Sequence, residues 1–268
     1  MKTSKPDLFA LFGDPVAQSL SPLMHGAAFA EMGLSASYCA CRTNDAAEVV
    51  RRIREEGMRG ASVTIPLKET VVARLDEVDA DAAAIGAVNT IVNRDGRLSG
   101  YNTDGPGLAR DLEEWIGIKS RTFLILGAGG AARAAVFTLA RRGGTAIVVN
   151  RTADRAAALA RRFGCRWVPV DRMDSLEADC LINTTPLGMF PDTERTPLTY
   201  PHPARFPRVL DMIYNPIKTR LLREAEAAGC DVRTGVGMFV HQGAEQIRLW
   251  TGIEPPREGM RRTVMMKL

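Results

Sequence analysis

The chain has 268 residues, 46% apolar and 25% charged, with 35 Lys and Arg against 31 Asp and Glu for a formal charge of +4. That balance belongs to a folded globular protein and excludes a disordered one. No apolar run is long enough to span a bilayer, so no membrane partner is expected.

Residues 1–7 are polar and lead straight into a strand-like stretch, with no secretory signal expected. Leu8 to Gly13 reads as a buried strand. Ser21-Pro22 then starts a helix, serine as N-cap and proline at the first helical position, which Gly33 ends. Ser37 to Arg42 alternates as a strand, and Asn44 to Glu56 is a helix with Val49, Val50 and Ile53 on one face. Gly60 to Ile65 is a strand stopped by Pro66. Ala87 to Asn93 and Arg97 to Tyr101 form a hairpin across Asp95-Gly96, a pair suited to the positive φ angles of a tight turn. A helix from Asp104 to Trp115 follows. The strand Thr122 to Leu126 leads through Gly127-Ala128-Gly129-Gly130 into a helix reaching Arg142. Thr145 to Asn150, a helix from Thr152 to Phe163, and strands at Arg166 to Pro169, Cys180 to Asn183 and Val209 to Ile213 continue the alternation. It is the pattern of an α/β chain with a doubly wound parallel sheet. Helices from Gly237 to Trp250 and from Pro256 to Lys267 close the chain.

Arginine doublets fall mostly at helix ends (Arg51-Arg52, Arg141-Arg142, Arg161-Arg162), where they oppose the helix dipole. No basic surface interleaved with aromatics is visible, so nucleic acid is not an expected partner. The five cysteines, Cys39, Cys41, Cys165, Cys180 and Cys230, are odd in number and form no CxxC pair. They read as reduced, buried thiols of a cytoplasmic protein, with Cys39 and Cys41 on one face of a strand. His25, His202 and His241 are scattered without metal-ligand or triad spacing; His241 reads as structural or, at most, as supporting a site residue from behind, and no metal is expected.

Gly127-Ala128-Gly129-Gly130-Ala131-Ala132 fits G-x-G-x-x-A between a strand and a helix. Its first glycine permits the turn, its second lets backbone N–H groups approach a pyrophosphate, and a small third residue lets helix and strand pack. A fold that takes NAD usually has Asp or Glu at the end of the next strand. Here that place holds Asn150-Arg151-Thr152, with Arg155 one turn on. These arginines either are solvated helix-start residues or bind the extra phosphate of NADP; cations suit a helix N-terminus poorly unless an anion sits there, which favours NADP. The loops Asn183 to Met189 and Asp211 to Pro216 leave the same end of the sheet.

Upstream stand Ser62-Val63-Thr64-Ile65-Pro66-Leu67-Lys68, Gly86-Ala87-Val88-Asn89-Thr90 and Gly100-Tyr101-Asn102-Thr103-Asp104-Gly105. A lysine, an aspartate and several hydroxyls and amides ahead of a nucleotide fold suggest proton transfer on a small polyhydroxy substrate. Taken alone, Lys68 could also be a solvated first-turn lysine. Over nearly the whole chain these strings resemble the motifs of the shikimate dehydrogenase family. The resemblance implies two α/β domains around a cleft, residues 1–103 binding substrate and carrying catalysis, completed by 237–268. Residues 104–236 would be a Rossmann-type NADP-binding domain.

It further implies shikimate or 3-dehydroshikimate as the small-molecule substrate, in aromatic amino-acid biosynthesis. Lys68 would transfer the proton with Asp104 beside it, and Ser19, Ser21, Thr64, Asn89, Asp104, Tyr214 and Gln242 would hold the ring. Ser19 and Ser21 match the family's pair for the carboxylate, though Ser21 also suits plain helix capping. Besides Gly127 to Ala131 and Asn150 to Thr152 with Arg155, the cofactor contacts would be Thr185, Met212, Ile213 and Gly235. Met212 and Ile213 suit a buried core equally well. The chain departs from the family where Ser62 stands for a common Asn, Leu67 for His or Phe, and Gly243 for Ala. These leave room for quinate or an aminated analogue. Alternatives are a quinate/shikimate dehydrogenase, against which the missing acidic residue at Asn150 argues, and a non-catalytic sensor of NADP and a metabolite, against which Lys68 with Asp104 argues. A monomer or a homodimer is expected.

Overall fold

Buried residues run unbroken from Phe9 to Gly13 in the first strand, β1 (Asp7–Gly13), so both of its faces are covered and it must lie inside a sheet. In the computed structural model, which describes residues 6–198 and 202–268, β1 pairs in parallel with β2 (Ala36–Arg42) and β3 (Gly60–Val63). The helices α1 (Ser21–Glu31) and α2 (Ala46–Glu55) make the crossovers. Next come β4 (Glu77–Val78), α3 (Ala80–Ile85), β5 (Thr90–Arg94) and β6 (Arg97–Tyr101). They complete a mixed six-stranded sheet of order β2-β1-β3-β5-β6-β4. The β5–β6 turn has φ of 52° at Asp95 and 90° at Gly96, the angles the Asp-Gly pair was expected to supply.

From there the chain runs α4 (Asp104–Trp115), β7 (Thr122–Leu126), α5 (Gly130–Arg141), β8 (Thr145–Val149), α6 (Ala153–Phe163) and β9 (Arg166–Val168). After β10 (Cys180–Asn183) come β11 (Arg208–Asp211), α7 (Arg220–Ala227) and β12 (Asp231–Arg233). The six strands are all parallel, in the order β9-β8-β7-β10-β11-β12, which is that of the doubly wound Rossmann fold. Along β7, Phe123 and Ile125 join one core and Leu124 and Leu126 another. Leu139 of α5 and Leu159 of α6 fill the first core, and Leu221 and Leu222 of α7 fill the second. The helices α8 (Val236–Thr251) and α9 (Arg257–Met265) end the chain.

The chain divides into two compact units. One holds the described residues up to Gly107 together with Val240–Lys267; the other holds Leu108–Phe239. The first unit's main core gathers Phe12, Ile53, Val63 and Ile91 under α2. On the opposite face of its sheet Phe9 packs against Phe29 and Trp250, with ring centroids 5.1 and 4.9 Å away.

Some expectations change. Ser21 is not an N-cap: it is the first residue of α1, Leu20 holds the cap position, and Ser19 Oγ accepts the Ser21 N–H at 3.2 Å. Ser21 therefore turns its own carbonyl to His25 Nδ1 at 2.8 Å, as a helical residue does at i+4. Asp45, whose side chain accepts the Ala47 N–H at 2.8 Å, starts α2 later than expected. The five cysteines are free, but Cys39 is exposed because β2 is an edge strand; Cys41 and Cys180 are the buried ones. The elements β4, α3, α7 and β12 add to those expected. Residues 1–5, most of the segment read for a leader, lie outside the described residues.

Candidate active site

The turn after β3 carries Lys68. Leu67 beside it is wholly buried, and the Lys68 carbonyl accepts the Val88 N–H at 2.8 Å, so the lysine leaves a backbone pinned on two sides. Its Nζ donates to Asp104 Oδ2 at 2.5 Å, with the two side chains 17% and 6% exposed. Asp104 opens α4, where the helix N-terminus favours a carboxylate. Its other oxygen accepts Asn89 Nδ2 at 2.8 Å.

Asn89 can face only one way. Its Oδ1 accepts the Thr103 N–H at 2.8 Å, Thr90 Oγ1 at 2.8 Å and Thr103 Oγ1 at 3.2 Å, which leaves the amide nitrogen toward the carboxylate. Gln242 of α8 brings Oε1 to 3.5 Å from that nitrogen. Gly107, three residues along α4 from Asp104, permits the approach. A Cβ there would stand 2.8 Å from both the backbone N and the Cβ of Gln242.

Ser19 and Ser21 share a hydrogen bond of 3.2 Å at the start of α1. Thr64, half-buried, follows β3 and donates its N–H to Phe12 O at 2.9 Å. The loops after β1 and β3 are tied by Asp14 N–H to Ile65 O at 2.8 Å, so the serine loop and Thr64 leave the same end of the sheet. Lys68, Asn89, Asp104 and Gln242 are thus brought directly together, with the serines and Thr64 on neighbouring loops of the same unit. Tyr214 belongs to the second unit, where its ring stacks on Phe239 at 4.0 Å.

In the second unit Gly127 has φ of 117°, and a Cβ on it would lie 2.5 Å from Thr184 Oγ1, which itself donates to Leu126 O at 2.6 Å. Only glycine fits there. Gly129 is the N-cap of α5, without a side-chain cap, and open space surrounds it. The first N–H groups of α5 therefore remain for an anion. Ala128, Gly130 and Ala131 are half-buried around this turn, and fully buried Ala132 seats the helix on the sheet. Past β8, Asn150 Nδ2 donates to the Thr152 carbonyl at 2.9 Å. Arg151, Thr152 and Arg155 are exposed, and neither arginine has an acidic partner among the described residues. Bare helix N–H groups and two unpaired guanidinium groups fit a dinucleotide with an extra phosphate.

Asn183 and Asp211 end β10 and β11. Asn183 Oδ1 accepts both the N–H and Oγ1 of Thr185, at 3.0 and 2.8 Å. Its Nδ2 donates to Asp211 Oδ1 at 3.0 Å, which also accepts the Ile213 N–H at 3.1 Å; Thr219 Oγ1 donates to Oδ2 at 2.7 Å. Burial pushes the Asp211 carboxyl up to about 7, against these three hydrogen bonds. The network sets the loops bearing Thr185, Met212 and Ile213. Met212 packs on the core and Ile213 is buried, while Gly235 donates its N–H to Ile213 O at 3.2 Å.

Comparison with known proteins agrees with both halves. The model of the shikimate dehydrogenase substrate binding domain matches residues 11–91, that of shikimate / quinate 5-dehydrogenase residues 108–186, and that of the shikimate 5'-dehydrogenase C-terminal domain residues 235–265. The shikimate dehydrogenase (NADP(+)) of Shouchella clausii is 43% identical over 270 residues, covering 97% of this chain and 98% of its own. The chain belongs to the shikimate dehydrogenase family. A family structure in complex with NADP+ superposes with a TM-score of 0.91 at 39% identity, covering 100% of this chain and 97% of its own. The Thermus thermophilus enzyme with NADP(H) and shikimate gives 0.89 at 43%, covering 98% and 100%.

The sequence reading gave no role to Thr90, Thr103 and Gln246, which join the network of the first unit, or to Asn183, Asp211 and Thr219, which form that of the second. Thr90, Thr103, Asn183 and Asp211 stood within the strings and loops already singled out, and Gln246 lies four residues beyond Gln242 and so on the same helix face.

Proposed function

We propose that this chain catalyses the reversible NADP-dependent reduction of 3-dehydroshikimate to shikimate, a step toward chorismate and the aromatic amino acids. The observation that carries the reading is the Lys68–Asp104 pair at 2.5 Å, half-sheltered and braced by Asn89, within a chain of this family. Structures of relatives in complex with NADP+, or with NADP(H) and shikimate, support the choice of cofactor and substrate. Residues 1–103 with 237–268 take the substrate and 104–236 the cofactor, a division close to the two compact units.

Ser19 and Ser21 hold the substrate carboxylate, and Thr64, Asn89, Asp104, Tyr214 and Gln242 its ring hydroxyls. A site made of directional donors and acceptors rejects analogues that leave them unpaired. Lys68 gives a proton from Nζ to the ketone oxygen in reduction and takes the hydroxyl proton in oxidation, while Asp104 holds that ammonium in line. NADP, when bound, supplies the chemistry of hydride donor and acceptor. Gly127 to Ala131 seat its pyrophosphate, Arg151 and Arg155 its extra phosphate with Asn150 and Thr152 beside them, and Thr185, Met212, Ile213 and Gly235 its nicotinamide end.

Initial rates with shikimate and with quinate, each against NADP and NAD, test the proposal. Turnover of shikimate with NADP far above the other three pairs is expected; quinate used as well, or NAD equally, would overturn the specificity. The chain acts as a monomer or homodimer in the cytoplasm, a placement its five free thiols support. Light scattering at working concentration checks the assembly.

A further inference from the structure

Gln246 is not among the residues assigned to substrate, yet it is 2% exposed and every polar atom of its amide is engaged. Its Oε1 accepts Ser62 Oγ at 2.8 Å, and Ser62 Oγ in turn accepts the Tyr38 hydroxyl at 2.6 Å. Its Nε2 donates to Asn89 O at 3.2 Å and to Thr90 Oγ1 at 3.1 Å.

The directions of these bonds are forced. A hydroxyl has one hydrogen, and Ser62, receiving that of Tyr38, passes its own to Gln246. A flipped Gln246 amide would set its oxygen against the Asn89 carbonyl, so the flip is barred. Thr90, accepting from Gln246, has its hydrogen for Asn89 Oδ1, and Asn89 is left to donate to Asp104. Were Gln246 absent, the Thr90 hydroxyl could turn to Thr103 Oγ1, 3.3 Å away, and the Asn89 amide would lose both a donor and a backbone tether.

We infer that Gln246 is a positioning residue: through Thr90 and Asn89 it fixes the Asp104 carboxylate that orients Lys68. The chain of donors runs one way, Tyr38 to Ser62 to Gln246 to Thr90 to Asn89 to Asp104. The inference rests on the proposed reading of Lys68 and Asp104.

Gln246→Met keeps the volume and removes both donors and the acceptor; Gln246→Glu keeps the acceptor for Ser62 and loses the donors. Both should lower kcat roughly tenfold, the worth of a lost buried hydrogen bond, with a smaller change in the shikimate dissociation constant. In an Asn89→Ala background, Gln246→Met should add almost nothing, because its effect passes through Asn89. A normal kcat with a lowered thermal midpoint, or losses that multiply in the double variant, would overturn the inference. If Gln246→Met does not fold, Ser62→Ala carries the same comparison. If the unmodified chain does not turn over shikimate with NADP, the proposed function fails by itself. The inference is then decided by the crystal structure of Gln246→Met: an Asn89 amide rotated off Asp104 supports it, and an unmoved one refutes it.

Discussion

Each unit buries one carboxylate that accepts from an asparagine amide: Asp104 from Asn89 at 2.8 Å, Asp211 from Asn183 at 3.0 Å. The remaining partner differs. Asp104 faces the Lys68 ammonium; Asp211 faces the Thr219 hydroxyl and a backbone N–H, and burial drives its carboxyl up to about 7. Similar amide bracing thus serves two ends. With a cation it makes a buried ion pair; without one it makes a knot that ties two loops and keeps its proton up to about pH 7.

The hardest test of that contrast is Lys68→Ala, which leaves Asp104, like Asp211, without a cation. Turnover should fall by roughly two to four powers of ten, the usual worth of a general acid–base, while shikimate binding measured directly changes much less. Loss of affinity alone would make Lys68 a binding residue. The next effect concerns the second unit, whose charges act at the surface and not within its buried knot. Arg151→Ala should raise KM for NADP about tenfold, as expected for a charge-assisted hydrogen bond, and leave KM for NAD nearly unchanged. A parallel rise for both cofactors would refute the phosphate contact.

The smaller effects are on stability. Asp211 rises from an ordinary 3.8 to about 7, so between those values the native chain keeps a proton that the unfolded chain releases. Its contribution is present below pH 3.8 and is lost as pH rises toward 7. Asp211→Asn should flatten that slope in thermal midpoints taken from pH 4 to 8; an unaltered slope would count against it. In the first unit His25 has the opposite sign. Burial lowers it from 6.5 to about 4, against its hydrogen bond to the Ser21 carbonyl, so its contribution is present above pH 6.5 and lost as pH falls through 4. His25→Gln should soften the loss below pH 6.5, and a midpoint that falls as steeply as before would exclude His25 as its source.

Much of the second unit was legible because its strands alternate with helices and each strand end is marked: β7 and β10 and the helix α4 were read to the residue. The short elements β4 and α3 were not, since α3 holds only six residues and its boundary depends on Asp79 accepting from Asp81 and Ala82. Ser21 was misread because Ser-Pro suits a cap, while the neighbouring Ser19 takes that N–H instead. Lys68, Asp104, Asn89 and Gln242 could be picked from strings, but not their bracing. Gln246 reaches Ser62 across 184 residues, and no local pattern announces such a bond. Asp211 looked like a loop entry because burial, which sets its chemistry, is a property of the folded sheet.

The first unit borrows its last strip from far downstream, so at the ribosome it cannot be completed until the chain is nearly whole. Leu108–Phe239 is one uninterrupted stretch and can fold as soon as it emerges. Gln242, Gln246 and Trp250 are made only afterwards. Until they arrive the indole that closes over Phe9 is missing and the Asn89 amide has no partner from α8. The unit whose synthesis starts first is therefore the one completed last, and the bracing of its Asn89 from α8 comes only after all of Leu108–Phe239 has been made.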